Sequence, residues 1–223
     1  MGPKPDTGRR TRLRETGQAF GVIARLVRTF GLTLAELHQG DGGGRDVLVW
    51  PRGNQQVACL LSPGVDLPLT AAVRFALGAQ CAALRLGVLP LVQAERSLAR
   101  DLLYAALCLT PSAPQPADAA RLRPLALELG KKLSRKERRE LESGLSELPE
   151  PLAALHEVGE DARAGAYRAG ALLAHELAPA LVHVFGEQYT LDTLVNSKLG
   201  LRLLRFWTSQ TCLVLLRGLG MTA

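Results

Sequence analysis

A chain of 223 residues, 47% hydrophobic and 22% charged, can build one sizeable core, and a single domain is expected. Only 4% of the residues are aromatic while Leu and Ala abound, so that core should be aliphatic and mainly helical. The net charge of +6 admits anionic partners, but the excess lies partly in the N-terminal residues and partly in one helix, and the stacking aromatics of a nucleic-acid interface are scarce.

Cys59, Cys81, Cys108 and Cys212 stand far apart inside apolar runs, with no C-x-x-C pair among them. That is the pattern of buried thiols in a reducing compartment, and a cytoplasmic location is expected. Arginines interrupt AFGVIARLVRTFG as a signal-peptide core, and FWTSQTCLVLL is polar in its middle and about half the length of a bilayer span. No transmembrane segment is expected.

Residues 1–15 carry Gly, Pro and charge without apolar periodicity and read as a disordered basic tail; residues 16–223 read as the domain. Phe20, Ile23, Leu26 and Val27 recur at helical spacing between Thr16 and Phe30. Asp41-Gly42-Gly43-Gly44 and Arg52-Gly53-Asn54 are turn signals around two β-type runs, DVLVW and QQVACLL. The expected fold is therefore α+β, predominantly helical, with one small antiparallel sheet or hairpin around residues 46–61.

After Pro63-Gly64 a helix is predicted from Leu69 to Leu86, with Leu69, Val73, Leu77, Cys81 and Leu84 as its apolar stripe. Ala72, Ala76, Ala79 and Ala83 form a small-residue stripe beside it, and Gln80 falls between the two. A helix over Leu91–Leu109 precedes the linker TPSAPQPAD; the next, Ala117–Leu129, stops at Gly130. Ser134 and Glu137 make a capping-box pattern that opens a basic helix from Arg135 to Leu148. The Ala-rich EDARAGAYRAGALLAHELAPALVHVF and the terminal LGLRLLRFWTSQTCLVLLRGL read as long helices, the latter so rich in large apolar residues that it is either central to the core, the expected fate, or half of an interface.

A strand pair, a helix with the small-residue centre GAQCAA, and a later Ala-rich helix AGAYRAGALL occur in this order. The sequence in this respect resembles the gluzincin metallopeptidases of the CaaX-prenyl-protease type, and more closely their degenerate relatives in large bacterial tetratricopeptide-repeat proteins. The resemblance implies a zincin-like fold in which one helix carries H-E-x-x-H and a later one E-x-x-x-D, the histidines holding zinc and the glutamate activating its water. Ala79 and Ala83 stand at the two histidine positions, Gln80 at the general base, and Arg163 and Tyr167 at the later pair. Alanine has no lone pair for a metal, glutamine no useful basicity, and arginine repels a cation. The resemblance thus implies a pseudoenzyme without metal or cofactor. On the residues alone, the same alanines let two helices approach closely, and a buried Gln80 would bond a neighbouring carbonyl.

His175-Glu176 imitates H-E-x-x-H, but the fifth position is Pro179, and His183 lies two turns away, too far to share an ion with His175. His38 and His156 show no companions. Asp41–Gly44 lacks the Lys-Ser/Thr of a phosphate loop, and no G-x-S-x-G elbow occurs. KKLSRKERRE interleaves Glu137 and Glu140 with its cations, the pattern of a solvated face.

The leading functional expectation is a non-catalytic module that binds a protein partner through its sheet edge or cleft, with Val57, Ala58, Cys59, Leu60 and Leu61 as the binding strand. The alternatives are a nucleic-acid or anionic-membrane binder using Arg9, Arg10, Arg12, Arg14 and the basic helix over 131–139, and a hydrolase with an unrecognised site.

Overall fold

The computed structural model describes residues 10–110, 114–147 and 150–220, which are predominantly helical with one four-stranded sheet. The elements run β1 (Arg10–Arg12), α1 (Gln18–Arg28), β2 (Thr33–Gly40), β3 (Val47–Gly53), β4 (Gln56–Leu61), α2 (Ala71–Arg85), α3 (Leu89–Gln93) and α4 (Arg96–Cys108). There follow α5 (Ala119–Lys132), α6 (Arg135–Ser146), α7 (Pro151–Ala174), α8 (Ala178–Phe185), α9 (Leu191–Val195), α10 (Lys198–Trp207) and α11 (Gln210–Gly218). The chain divides into two compact units, residues 1–89 with 164–223, and residues 90–163.

The first unit holds the sheet, in the order β1-β2-β4-β3. The hairpin expected around 46–61 forms as β3 and β4, but β1 and β2 extend it, and β2 runs parallel to β4, so the sheet is mixed. β1 also corrects the disordered tail: Arg10–Arg12 pair with His38–Gly40, while residues 1–9, Arg9 included, lie outside the described residues. The apolar residues of TLAELHQG are too irregular for a two-residue period because a bulge between Leu34 and Glu36 inserts Ala35. The bulge turns Leu34 and Leu37 to one face, and leaves Glu36 and His38 on the other.

The Leu34 face carries the main core. Val47, Val49, Val57, Cys59 and Leu61 meet Ile23 and Val27 of α1 and Val73, Leu77 and Cys81 of α2, each of them buried. Every aliphatic side chain so enclosed contributes roughly 1.5–3 kcal/mol. The stripe expected on α2 is the stripe observed, and Thr70 caps the helix by accepting the Val73 N–H at 3.3 Å.

The binding strand expected at Val57, Ala58, Cys59, Leu60 and Leu61 needs correction. β4 is interior, paired with β2 on one side and β3 on the other, so its backbone groups are already used. Alternation of large apolar residues on both faces is the mark of such a central strand.

In the second unit α4 packs on α5, joined by Arg121 to Asp101 at 2.7 and 2.9 Å. Leu107, Leu145 and Leu155 form a core cluster there. The capping box is formed as expected: Ser134 Oγ accepts the Glu137 N–H, and the Glu137 carboxylate accepts the Ser134 N–H at 2.7 Å. Gly130 does not stop its helix; a Cβ there would meet the Leu109 side chain at 3.1 Å, and the glycine serves packing inside α5. The helix expected over 91–109 is broken between α3 and α4.

The terminal segment also breaks. Ser209 caps a new helix, accepting the Cys212 N–H at 3.2 Å, and separates α10 from α11. α10 buries Leu199 and Leu203, but α11 buries only Cys212, so the expected core position fails for α11. No helix among the described residues is long and apolar enough to cross a membrane.

Candidate functional site

Ala79, Gln80 and Ala83 lie on the buried side of α2. Gln80 reaches the strand β3: its Oε1 accepts the Val49 N–H at 2.9 Å and its Nε2 donates to the Val47 carbonyl at 3.0 Å. β3 ends the sheet, and in an antiparallel ladder the edge strand leaves alternate backbone groups without a strand partner. The amide of Gln80 stands in for the missing strand. Glutamine suits this task because one planar group carries both a donor and an acceptor.

The crossing of α2 with residues 164–174 of α7 brings Gly78 and Gly170 together. A Cβ on Gly170 would lie 2.6 Å from the Phe75 carbonyl oxygen, and one on Gly78 would lie 2.9 Å from the Leu173 Cβ. Backbone contact at that distance excludes any side chain. Arg74 fixes the end of the crossing by donating to the Ala174 carbonyl at 3.0 Å and to Leu69 at 2.9 Å.

Tyr167 is buried beside this crossing, its ring 5.7 Å from Phe75 and 5.2 Å, edge-on, from His183. Arg163, which belongs to the second unit, is also buried; it donates to the carbonyls of Leu91 at 3.1 Å and Ala94 at 3.2 Å. Those carbonyls lie at the end of α3, where a helix leaves acceptors unused. Its guanidinium therefore serves as a cap, with Glu160 3.8 Å away.

His175 ends α7. Its φ of 65° is left-handed, its N–H donates to Leu172, and the Glu176 N–H reaches back to Ala171 at 3.3 Å. This is a Schellman-type stop, so the apparent H-E-x-x-H is a helix terminus followed by a new helix with Pro179 in its first turn. Among the described residues no group of three or more His, Cys, Asp or Glu is placed to hold a metal ion.

A cluster that the sequence did not disclose lies on the second face of the sheet. Glu36 accepts from His38 Nε2 at 2.9 Å and from the Arg52 guanidinium, and these hydrogen bonds, His38 first, hold its carboxyl down to about 2. The His38 ring stacks on Trp50 at 5.9 Å, and the Arg10 guanidinium covers the indole at 5.6 Å. An ionised Glu36 can only accept, so Nε2 of His38 carries a proton. That leaves Nδ1 of His38, and the indole N–H of Trp50, buried without hydrogen-bond partners. The spacing E-x-H within a strand would have revealed the pair, had TLAELHQG been recognised as one.

Beside this face, β1 is the other end of the sheet. Leu13 donates to the Leu37 carbonyl at 2.8 Å, and the two-residue alternation from that bond turns the N–H and C=O of Arg12 away from β2. Arg12 lies opposite His38, and residues Arg12–Thr16 line an open depression. In the basic stretch over 131–139, three cations have partners within the chain: Lys131 pairs with Glu128 at 2.6 Å, Lys136 with Glu140 at 3.7 Å, and Arg138 bonds the Gly130 carbonyl. No protein-family model, no curated protein and no solved structure matches the chain.

Proposed function

We propose that the chain is a non-catalytic binding module that takes an acidic, extended protein segment along β1. The observation that carries this reading is the end of the sheet at β1, where Arg12 directs its backbone hydrogen-bonding groups outward beside a depression lined by Arg12, Arg14 and Glu15. Strand addition uses such an edge for main-chain bonds and nearby side chains for specificity. Arginine favours carboxylates on the incoming segment.

Descent from a gluzincin peptidase belongs to this proposal as well. It is supported by the order of hairpin, small-residue helix and later Ala-rich helix, while Ala79, Gln80, Ala83, Arg163 and Tyr167 depart from the family's ligands and base. A cytoplasmic setting is supported by the four free thiols.

The test is titration of the protein with a short peptide of alternating Glu and Val, alongside the Lys-Val counterpart. Saturable binding of the acidic peptide that weakens with salt is expected. Arg12→Pro removes an N–H that the β1–β2 ladder does not use and should abolish binding while the circular dichroism stays unchanged. Equal binding by Arg12→Pro, or by the Lys-Val peptide, would overturn the reading.

A further inference from the structure

A helix at a protein surface normally shows one apolar stripe and one polar face. α11 does not: Leu213, Val214, Leu215 and Leu219 are exposed, Val214 by 58%, and Leu216 is only half-buried. At about 100° per residue, three consecutive exposed apolar side chains sweep most of the outer surface of the helix. At the end of α10, Trp207 is half-buried, and so is Phe206, whose ring lies under the Arg168 guanidinium at 5.4 Å.

Charge decides what could cover it. From residue 193 to 223 the charged side chains are Lys198, Arg202, Arg205 and Arg217, with no acidic residue among them. Arg217 follows Leu213 by one turn, and Arg205 is exposed on α10. A second copy of this chain docking by the same patch would set one surface with only positive charges against another, with no acidic residue of the segment to answer them. An anionic bilayer has the opposite property. Its headgroups attract the cations, and its acyl boundary receives the apolar groups. Arginine and lysine stems reach from an apolar face to the headgroups, and tryptophan favours the same depth.

We infer that α10 and α11 dock the protein on an anionic lipid surface, with Leu213, Val214, Leu215 and Leu219 entering the interface and the exposed Arg205 and Arg217 meeting the headgroups. This surface is distinct from β1, and the two readings are tested separately.

The experiment is flotation of the full chain with vesicles of phosphatidylcholine alone and of phosphatidylcholine mixed with phosphatidylserine. The protein should float with the mixed vesicles and stay behind with the neutral ones, and salt should reverse the binding. Because Trp50 is buried, quenching of tryptophan emission by brominated lipid would report Trp207. The triple variant Leu213→Gln, Val214→Gln, Leu215→Gln alters exposed positions only and should lower partitioning by about tenfold or more while the helical content is kept. Arg12→Pro should float like the parent. Absence of flotation with the mixed vesicles, or equal flotation of the triple variant, overturns the inference. So does a concentration-dependent dimer that the triple variant abolishes, since a second copy would then cover the helix. Binding of an acidic protein but not of vesicles would do the same.

Discussion

The side-chain amide of Gln80 accepts the N–H of Val49 at 2.9 Å, and through this bond helix α2 closes the edge of β3. Removing it by Gln80→Leu would leave the Val49 N–H and the Val47 carbonyl buried without partners, at a cost of about 2–4 kcal/mol. Chemical denaturation checks this. A value under about 0.5 kcal/mol would mean that the edge is satisfied in another way.

Gln80→Glu places a carboxyl where Val47 needs a donor. Only the protonated acid can both donate to Val47 and accept from Val49, so burial and the carbonyl should raise its pKa. A folded pKa above the unfolded one gives stability that is complete below about pH 4 and lost as pH rises. The variant should approach the parent at acid pH and fall behind it by about 2–4 kcal/mol at neutral pH, as measured by denaturation of both proteins at matched pH.

Gly170→Ala should destabilise the first unit by about 1–3 kcal/mol, since its Cβ would meet the Phe75 carbonyl oxygen at 2.6 Å and a backbone atom cannot step aside. Gly165, on the same helix, has nothing within 4 Å of a Cβ. Gly165→Ala should therefore stabilise by about 0.5–1 kcal/mol through helix propensity alone. Thermal melts of the pair give opposite signs if the crossing is as close as described.

His175→Gly should raise stability by about 1 kcal/mol, because the left-handed φ of 65° costs a residue with a Cβ and costs glycine nothing. A loss of stability instead would show that the imidazole makes contacts which outweigh the strain.

Glu36 supplies an acid limit. Its folded pKa of about 2 lies below the ordinary value of 4.5, so its stabilisation is complete above pH 4.5 and lost as pH falls toward 2. Glu36→Gln should lower stability at neutral pH by on the order of 1–3 kcal/mol and flatten the pH dependence within that window. A parent-like acid transition in the variant would assign the transition to other carboxylates.

The sequence by itself determined the local features. The β3–β4 hairpin followed from alternating apolar runs between turn residues, the stripe of α2 from helical spacing, and the start of α6 from the Ser134–Glu137 pair. Each is decided by residues a few positions apart, and short-range sterics and hydrogen bonds are enough to select it. Only the tertiary structure decided that β4 lies inside the sheet, because its neighbour β2 hides behind a bulge that turns a strand into a Leu-x-x-Leu spacing. The sequence allowed a buried Gln80 to bond a neighbouring carbonyl, but that its partners are Val47 and Val49, 33 and 31 residues away, was decided by the packing of α2 on β3. Glu36, His38, Trp50 and Arg10 meet for the same reason, through strand register. The exposure of α11 was equally hidden. Its apolar content is written in the chain, but burial depends on which helix faces are already occupied, and that is a property of the packed whole.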